Sequence, residues 1–341
     1  MQASRTICLL LVLVAASLFA TACGGGGSEE SSIKVGLPTA ETSFANSDVV
    51  VAQQQGFFED QGLQVELQNF GSGLKVVQAV VSGDVQVGGS SIEPVVNASA
   101  QGGQLSIIGG YADRLSVSMV TPDSIQSAAD LRGQNLGIQD VGAFREVMTR
   151  MVLESAGLTP DDVSYRPVDS NAYISALLSE QISSAILQTE QAVETINQDP
   201  SFHELADLYE VEPDYYYGTY FVQNDWLSDN PDTAASFLTA ITQAHRFMYE
   251  NREETVPIVA EATGFDPEVI DEAYETLLMK NGVFPVNEGL EDERFTYTVE
   301  RMQELGALEG EEPDLSQLVN RDPASQAVES LGTWEGDPRW H

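Results

Sequence analysis

The chain has 341 residues, with 53 Asp and Glu against 15 Lys and Arg, for a formal net charge of −38. A 42% hydrophobic content is enough for packed cores, which excludes a wholly disordered acidic chain, and the acidity argues against nucleic acid as a partner, because phosphate recognition draws on Lys and Arg. With only His203, His245 and His341 and only Cys8 and Cys23, a disulfide scaffold, a Cys/His zinc site and a haem-attachment motif are also excluded, so neither metal nor cofactor is expected.

The first segment reads as an address. Arg5 gives a positive start, and Ile7 to Phe19 is uncharged and apolar. That run is too short for an ordinary membrane span and suits a signal-peptide core. Ala20-Thr21-Ala22 then precedes Cys23, an arrangement similar to a bacterial lipobox with Ala20 where Leu is usual. Residues 1–22 are therefore expected to be a lipoprotein signal peptide, with Cys23 as the lipidated first residue. The stretch 23–32, with four glycines and three serines, is expected to be a flexible tether.

The length suggests two lobes, and two α/β cycles follow. In the first, strands are expected at Ile33–Leu37, Leu63–Leu67, Val85–Val87 and Leu105–Ile108. They alternate with helices over Asn46–Gln55, a segment opened by Gly71-Ser72-Gly73, and Ile92–Ala100. The middle helix carries Leu74, Val77, Val80 and Val81 on its expected apolar face. Leu115–Val120 alternates as a strand and is broken by Pro122. The second cycle has strands at Asn135–Ile138, Val163–Val168 and Ser184–Leu187, and helices at Ala143–Ser155, Ala172–Leu178 and Glu190–Asn197. His203-Glu204 reads as plain surface. Tyr215–Val222 is an extended aromatic stretch. Helices are then expected at Pro231–Tyr249, Glu253–Ala262, Pro267–Met279 and Asp292–Leu305, with Pro257 weakening the second. Residues 309–341 read as a pattern-poor tail. Strands alternating with helices imply mostly parallel sheets covered on both faces.

Several segments in this order resemble a known family. They are Gly56-Phe57-Phe58 with Gly62-Leu63-Gln64-Val65, Ser127-Ala128-Ala129-Asp130-Leu131-Arg132-Gly133 before Leu136-Gly137-Ile138, Leu153-Glu154-Ser155-Ala156-Gly157-Leu158, and Asn230-Pro231-Asp232 before a long helix. Together they resemble the substrate-binding proteins of ABC importers in the nitrate/sulfonate/taurine and thiamine-pyrimidine-precursor group, over residues 33–308. The resemblance implies an α/β type II periplasmic-binding fold. Lobe one would be 33–119 plus 222–308, lobe two 120–221, with hinges near Met119-Val120 and Tyr220-Phe221-Val222. It also implies a monomer that takes a small-molecule ligand and passes it to an ABC permease and ATPase. An enzyme or a sensor on the same fold is the alternative. The fungal pyrimidine synthases of this group use a cysteine-rich motif and a reactive lysine. This chain offers no cysteine after Cys23 and only Lys34, Lys75 and Lys280, so an enzyme is the poorer reading.

Candidate ligand contacts lie in loops after strands, where helix N-termini present free N–H groups. They are Thr39, Glu41, Ser43 and Phe44 after the first strand, Ser72 after the second, and Ser90 and Ser91 after the third. Gly142 and Phe144 follow the first strand of lobe two, and Gln188 and Glu190 a later one. The serines serve equally as ordinary helix caps. Phe44, Phe144 and Tyr216 are read as ring walls or core packing, Glu41 and Glu190 as acceptors for an amine or as solvated acids, and Arg114 as an anion partner or a surface ion pair. Gly-x-Ser-x-Gly, P-loop, His-Glu-x-x-His and EF-hand motifs are all missing from the sequence.

Overall fold

The computed structural model describes residues 31–39 and 42–336. Cys23, the leader, most of the tether and Glu41 lie outside the described residues. Lobe one begins with β1 (Ser31–Leu37), α1 (Asp48–Gln54), α2 (Phe57–Asp60), β2 (Leu63–Asn69), α3 (Gly73–Ser82), β3 (Val87–Ser91), α4 (Ile92–Ala100) and β4 (Leu105–Ala112). Lobe two holds β5 (Val117–Pro122), β6 (Asn135–Ile138), α5 (Phe144–Ser155), β7 (Ser164–Pro167), α6 (Tyr173–Leu178), β8 (Ser184–Gln188), α7 (Thr189–Gln198), β9 (Phe202–Asp207) and α8 (Leu208–Val211). The chain returns to lobe one through β10 (Gly218–Gln223), α9 (Asn224–Asp229), α10 (Pro231–Glu250), α11 (Arg252–Thr263) and α12 (Pro267–Tyr274). A π-helical turn over Glu275–Lys280 extends α12, and α13 (Asp292–Glu304), α14 (Leu315–Leu318) and α15 (Asp322–Leu331) follow.

Each lobe is built on a five-stranded sheet, in the orders β2-β1-β3-β10-β4 and β7-β6-β8-β5-β9. The two orders share one pattern. Three strands are parallel, and the fourth, β10 or β5, runs antiparallel to both neighbours. Those two antiparallel strands follow the interlobe crossings, so they lock the connections into the sheets. The crossings fall at residues 113–116 and 212–217. Met119-Val120 and Tyr220–Val222, where the sequence suggested hinges, lie inside β5 and β10. β3, β4 and β8 are covered on both faces and buried along their full lengths, whereas the parallel edge strands β2 and β7 keep exposed residues.

Two sequence expectations need correction, and one strand was not foreseen. On α3 the buried stripe is Val76, Val77, Ala79 and Val80, while Leu74 and Val81 are 46% and 54% exposed. His203 and Glu204 do lie at the surface, with Glu204 exposed, but on an unforeseen edge strand, β9, paired with β5. The segment after 308 is not pattern-poor: α15 buries Ala324 and Ala327 and packs on α10, and Val319 bridges Ile107 of β4. Pro257 sits inside an unbroken α11 because it lies on the exposed face, where water serves the carbonyl it leaves free. Among the described residues no helix is long and apolar enough to cross a membrane, and no group of three or more His, Cys, Asp or Glu could hold a metal ion.

Candidate functional site

The strand ends of the two sheets face each other across a cleft, and four helices start there. α3, α4, α5 and α7 begin directly after β2, β3, β6 and β8 or their short loops. The lobes are in contact. Gln139 Nε2 of lobe two donates to Gly71 O at 2.9 Å, and Phe44 N of lobe one donates to Glu190 Oε1 at 3.1 Å. Behind these contacts lies a small void of about 30 Å³, lined by Pro38, Thr39, Asn46, Ser72, Gly73, Ser91, Pro94, Tyr111, Gln139, Ala143, Phe144, Arg145, Gln188 and Tyr217. That is room for about one water. An outer cleft of about 480 Å³ opens from it, sharing Thr39, Arg145 and Gln188 and adding hydroxyl and amide side chains from α6 and α7, with Glu190.

Aromatic rings wall the inner space. Phe144, at the first position of α5, stacks on Tyr217 with centroids 4.5 Å apart, and Tyr111 meets Tyr217 edge-on at 5.6 Å. Gln188 Nε2 donates to the Tyr217 hydroxyl at 2.9 Å. Arg145 is almost wholly buried. Its guanidinium lies over the Tyr173 ring at 4.3 Å, reaches Ile186 O, and donates to Gln191 Oε1 at 3.1 Å. Gly73 is required because Ser90 comes so close that a Cβ there would stand 2.2 Å from Ser90 Oγ.

The site's polar chemistry is unfinished. Among the described residues, Asn46 Nδ2, Ser90 Oγ, Glu93 Oε2, Tyr111 Oη, Gln188 Oε1 and Glu190 Oε2 are buried without a hydrogen-bond partner. Buried polar groups are normally paired, and each orphan costs about 1–3 kcal/mol. Of these, Asn46, Tyr111 and Gln188 line the inner void and Glu190 the outer cleft, and they point to groups that a bound molecule completes; Ser90 and Glu93 stand behind them and line neither. Two of the six are carboxyls. Burial pushes Glu93 up from the usual carboxylate range, partly offset by the Tyr215 and Ser91 hydroxyls near it. Burial likewise raises Glu190, partly offset by the Phe44 amide and Arg145. Burial also lifts the Tyr217 hydroxyl, to about 12.

The candidates named from sequence separate accordingly. Thr39, Ser72, Ser91, Phe144 and Gln188 line the inner void, and Ser43 and Glu190 the outer cleft. Ser90 sits just behind, against Gly73. Ser72 also caps α3, accepting from Lys75 N at 3.5 Å. The others stand elsewhere. The Phe44 ring is core, between Tyr274 and Phe284. Tyr216 stacks on Phe295 at 4.3 Å, away from the cleft, while its neighbour Tyr217 in the crossing lines the inner void. Arg114 donates to Asn281 O and Gly282 O, stands 3.9 Å from the Asp113 carboxylate, and lines neither the inner void nor the outer cleft. Gly142, at φ 78°, gives its N–H to Glu146 as α5 begins and does not reach the void. Sequence reasoning missed Glu93, Tyr111, Gln139 and Arg145 and took Asn46 only as a cap. Arg145 did carry a signal, as a charge on the apolar side of an amphipathic helix.

The family described as NMT1/THI5 like matches residues 44–255. A Brucella abortus protein named as a candidate binding protein is 27% identical over 223 residues, 64% of this chain and 67% of its own. A 4-amino-5-hydroxymethyl-2-methylpyrimidine phosphate synthase of Candida albicans is 25% identical over 227 residues, 60% of this chain and 64% of its own. Among solved structures, the alkanesulfonate-binding protein SsuA of Xanthomonas axonopodis pv. citri bound to MOPS superposes with a TM-score of 0.73 at 17% identity, covering 86% of this chain and 99% of that one. The periplasmic nitrate-binding protein NrtA of Synechocystis PCC 6803 gives 0.75 at 14% identity, with coverage of 89% and 90%. These structural likenesses establish a periplasmic-binding-protein fold.

Proposed function

The chain belongs to the NMT1/THI5-like family, and from that premise we propose that it is an extracytoplasmic solute-binding lipoprotein, which traps one small molecule between its lobes and hands it to an ABC importer. The observation that carries this reading is the set of unpartnered polar atoms sealed in the closed cleft beside the Phe144–Tyr217 stack. Hinge closure over a ligand would complete those hydrogen bonds and exclude water from them. No group there is a poised nucleophile, so the proposed role is capture without chemistry. Cys23 would tether the monomer to the membrane surface by lipid, without a spanning helix.

The donor and acceptor balance favours one ligand type. At the cleft, Gln188 Oε1 and an ionised Glu190 Oε2 only accept, Asn46 Nδ2 donates, and the stacked Phe144 and Tyr217 rings stand beside them. The ligand is therefore a planar molecule carrying amine or amidine-type N–H donors, of the pyrimidine-precursor kind. A sulfonate or nitrate would face the buried Glu190 carboxyl, with one buried guanidinium, Arg145, that is already engaged. A titration across pH distinguishes the two. A donor-bearing ligand loses affinity as the pH falls and Glu190 takes up its proton; an anion gains affinity. Binding of nitrate or a sulfonate that strengthens on acidification would overturn the ligand class.

A further inference from the structure

We propose that α13 and the turn after it form an ionic brace that holds the lobes closed, so that Arg301 and Arg150 act as positioning residues for ligand affinity from outside the cleft. The inference goes beyond the capture reading and rests on it only where ligand affinity is measured.

The brace is anchored in lobe one. Phe295, Thr298, Val299 and Met302 of α13 are buried, and Asn97 of α4 pins the chain just beyond it, donating to Ala307 O at 3.0 Å and accepting from Glu309 N at 2.8 Å. Yet each turn of the helix reaches a crossing or the other lobe. Arg294 Nη1 donates to Asp113 O at 3.4 Å and to Pro213 O at 3.1 Å, one carbonyl from each interlobe connection. Tyr297 Oη and the Arg301 guanidinium both take Glu212 in the second crossing, Arg301 Nη2 at 2.7 Å. The same Nη2 reaches Glu154 Oε2 of α5 in lobe two at 2.8 Å. From the other side, Arg150 of α5 donates to Leu305 O and Gly306 O, both at 2.9 Å, while Glu146 steadies it at 2.7 Å.

Two features make this a lever. First, α4 and α5 both start at the cleft, with Ser91 and Glu93 on one and Phe144 and Arg145 on the other. The brace ties their far halves together, at Asn97 and at Arg150 and Glu154. A rotation that opens the cleft must shift one helix against the other and disturb these bonds. Second, cations are scarce: 15 against 53 acids. Five of them, Arg114, Arg150, Lys280, Arg294 and Arg301, stand where the lobes join. Lys280 pairs with Asp207 at 3.7 Å and Glu210 at 3.4 Å across that junction. Two acidic lobes repel each other, and cations placed at their seam oppose the separation.

The test compares wild type with Arg301→Gln, Arg301→Lys and Glu154→Gln in the full chain, after each is shown to melt cooperatively. Small-angle scattering of ligand-free protein reads lobe separation without needing a ligand. Affinity and dissociation rate are then measured with whichever compound stabilises wild type in a thermal-shift screen. Arg301→Gln is expected to enlarge the ligand-free radius of gyration and to weaken binding by about fivefold, through faster dissociation, the scale of one partly exposed ion pair. Arg301→Lys should restore part of both, and Arg301→Gln combined with Glu154→Gln should be no worse than Arg301→Gln alone. Should Arg301→Gln fail to fold, Glu154→Gln carries the test, since Glu154 is 53% exposed and can be changed without opening the core. Folded variants with unchanged scattering and unchanged dissociation would overturn the brace. If no compound binds wild type, the capture reading fails, and scattering alone still decides the brace.

Discussion

Replacing Glu93 by glutamine should stabilise the empty protein. In the folded state Glu93 Oε1 accepts from the Tyr215 hydroxyl at 2.8 Å, a bond that an amide oxygen keeps. Oε2 has no partner and no cation stands among the groups that set its proton affinity, so ionisation there is opposed mainly by burial. Removing a buried, unsatisfied charged oxygen is worth about 1–3 kcal/mol. For a folded chain of about 300 residues each kcal/mol moves the melting temperature by about 1–2 °C. The sign in pH follows from the raised proton affinity. A carboxyl that binds its proton more tightly when folded leaves the protein most stable below the ordinary value of 4.5, and that stability is lost as the pH rises through the raised value. The advantage of Glu93→Gln should therefore be full at pH 8 and fade toward pH 4. Melting curves of wild type and variant across that range, without ligand, measure it. A variant less stable than wild type at every pH would refute the reasoning, because Glu93 would then be a satisfied structural carboxylate.

Other expectations are as direct. Phe144→Ala should weaken ligand binding by removing the stacked wall on Tyr217, with a fold that survives, which calorimetry and circular dichroism together would show. His245→Phe should cost about 3–5 kcal/mol in denaturant unfolding, because His245 Nε2 contacts buried Asp48 at 2.9 Å; Tyr220→Phe, which removes one hydroxyl bond to the same carboxyl, should cost about 1 kcal/mol. With 53 acids against 15 bases, the melting temperature should rise toward molar sodium chloride, where the Debye length falls to about 3 Å; a flat or falling curve would show that repulsion does not limit stability. Cys23→Ala should release the protein from membranes into the soluble fraction.

The sheets were legible because their signals are local. Short apolar runs mark β1, β6 and β8, the first closed by Pro38, and amphipathic spacing marks α5 and α10. The antiparallel insertions of β5 and β10 were not, since strand direction depends on where the chain returns rather than on its residues. Edge strand β9 escaped because His203 and Glu204 are polar, as one exposed edge permits. Loops after strands pointed to Thr39, Ser72, Ser91, Phe144, Gln188 and Glu190, whose places follow from topology alone. Glu93 and Tyr111 did not show, because a buried acid inside a helix's first turn and a tyrosine ending a strand look ordinary until the lobes close on them. Tyr216 and Tyr217 could not be told apart, because they lie in the second crossing, before β10, where no strand alternation assigns their directions.

The most direct test of capture in the cleft is a thermal-shift screen of amines, nitrogen heterocycles, sulfonates and nitrate on wild type beside an Asn46→Ala, Gln188→Ala double variant. The account expects a planar N–H-bearing compound to stabilise wild type by about 2.7 kcal/mol at a hundredfold excess over Kd and to leave the double variant unmoved. A library that shifts neither protein, or a shift that persists in the double variant, would contradict it.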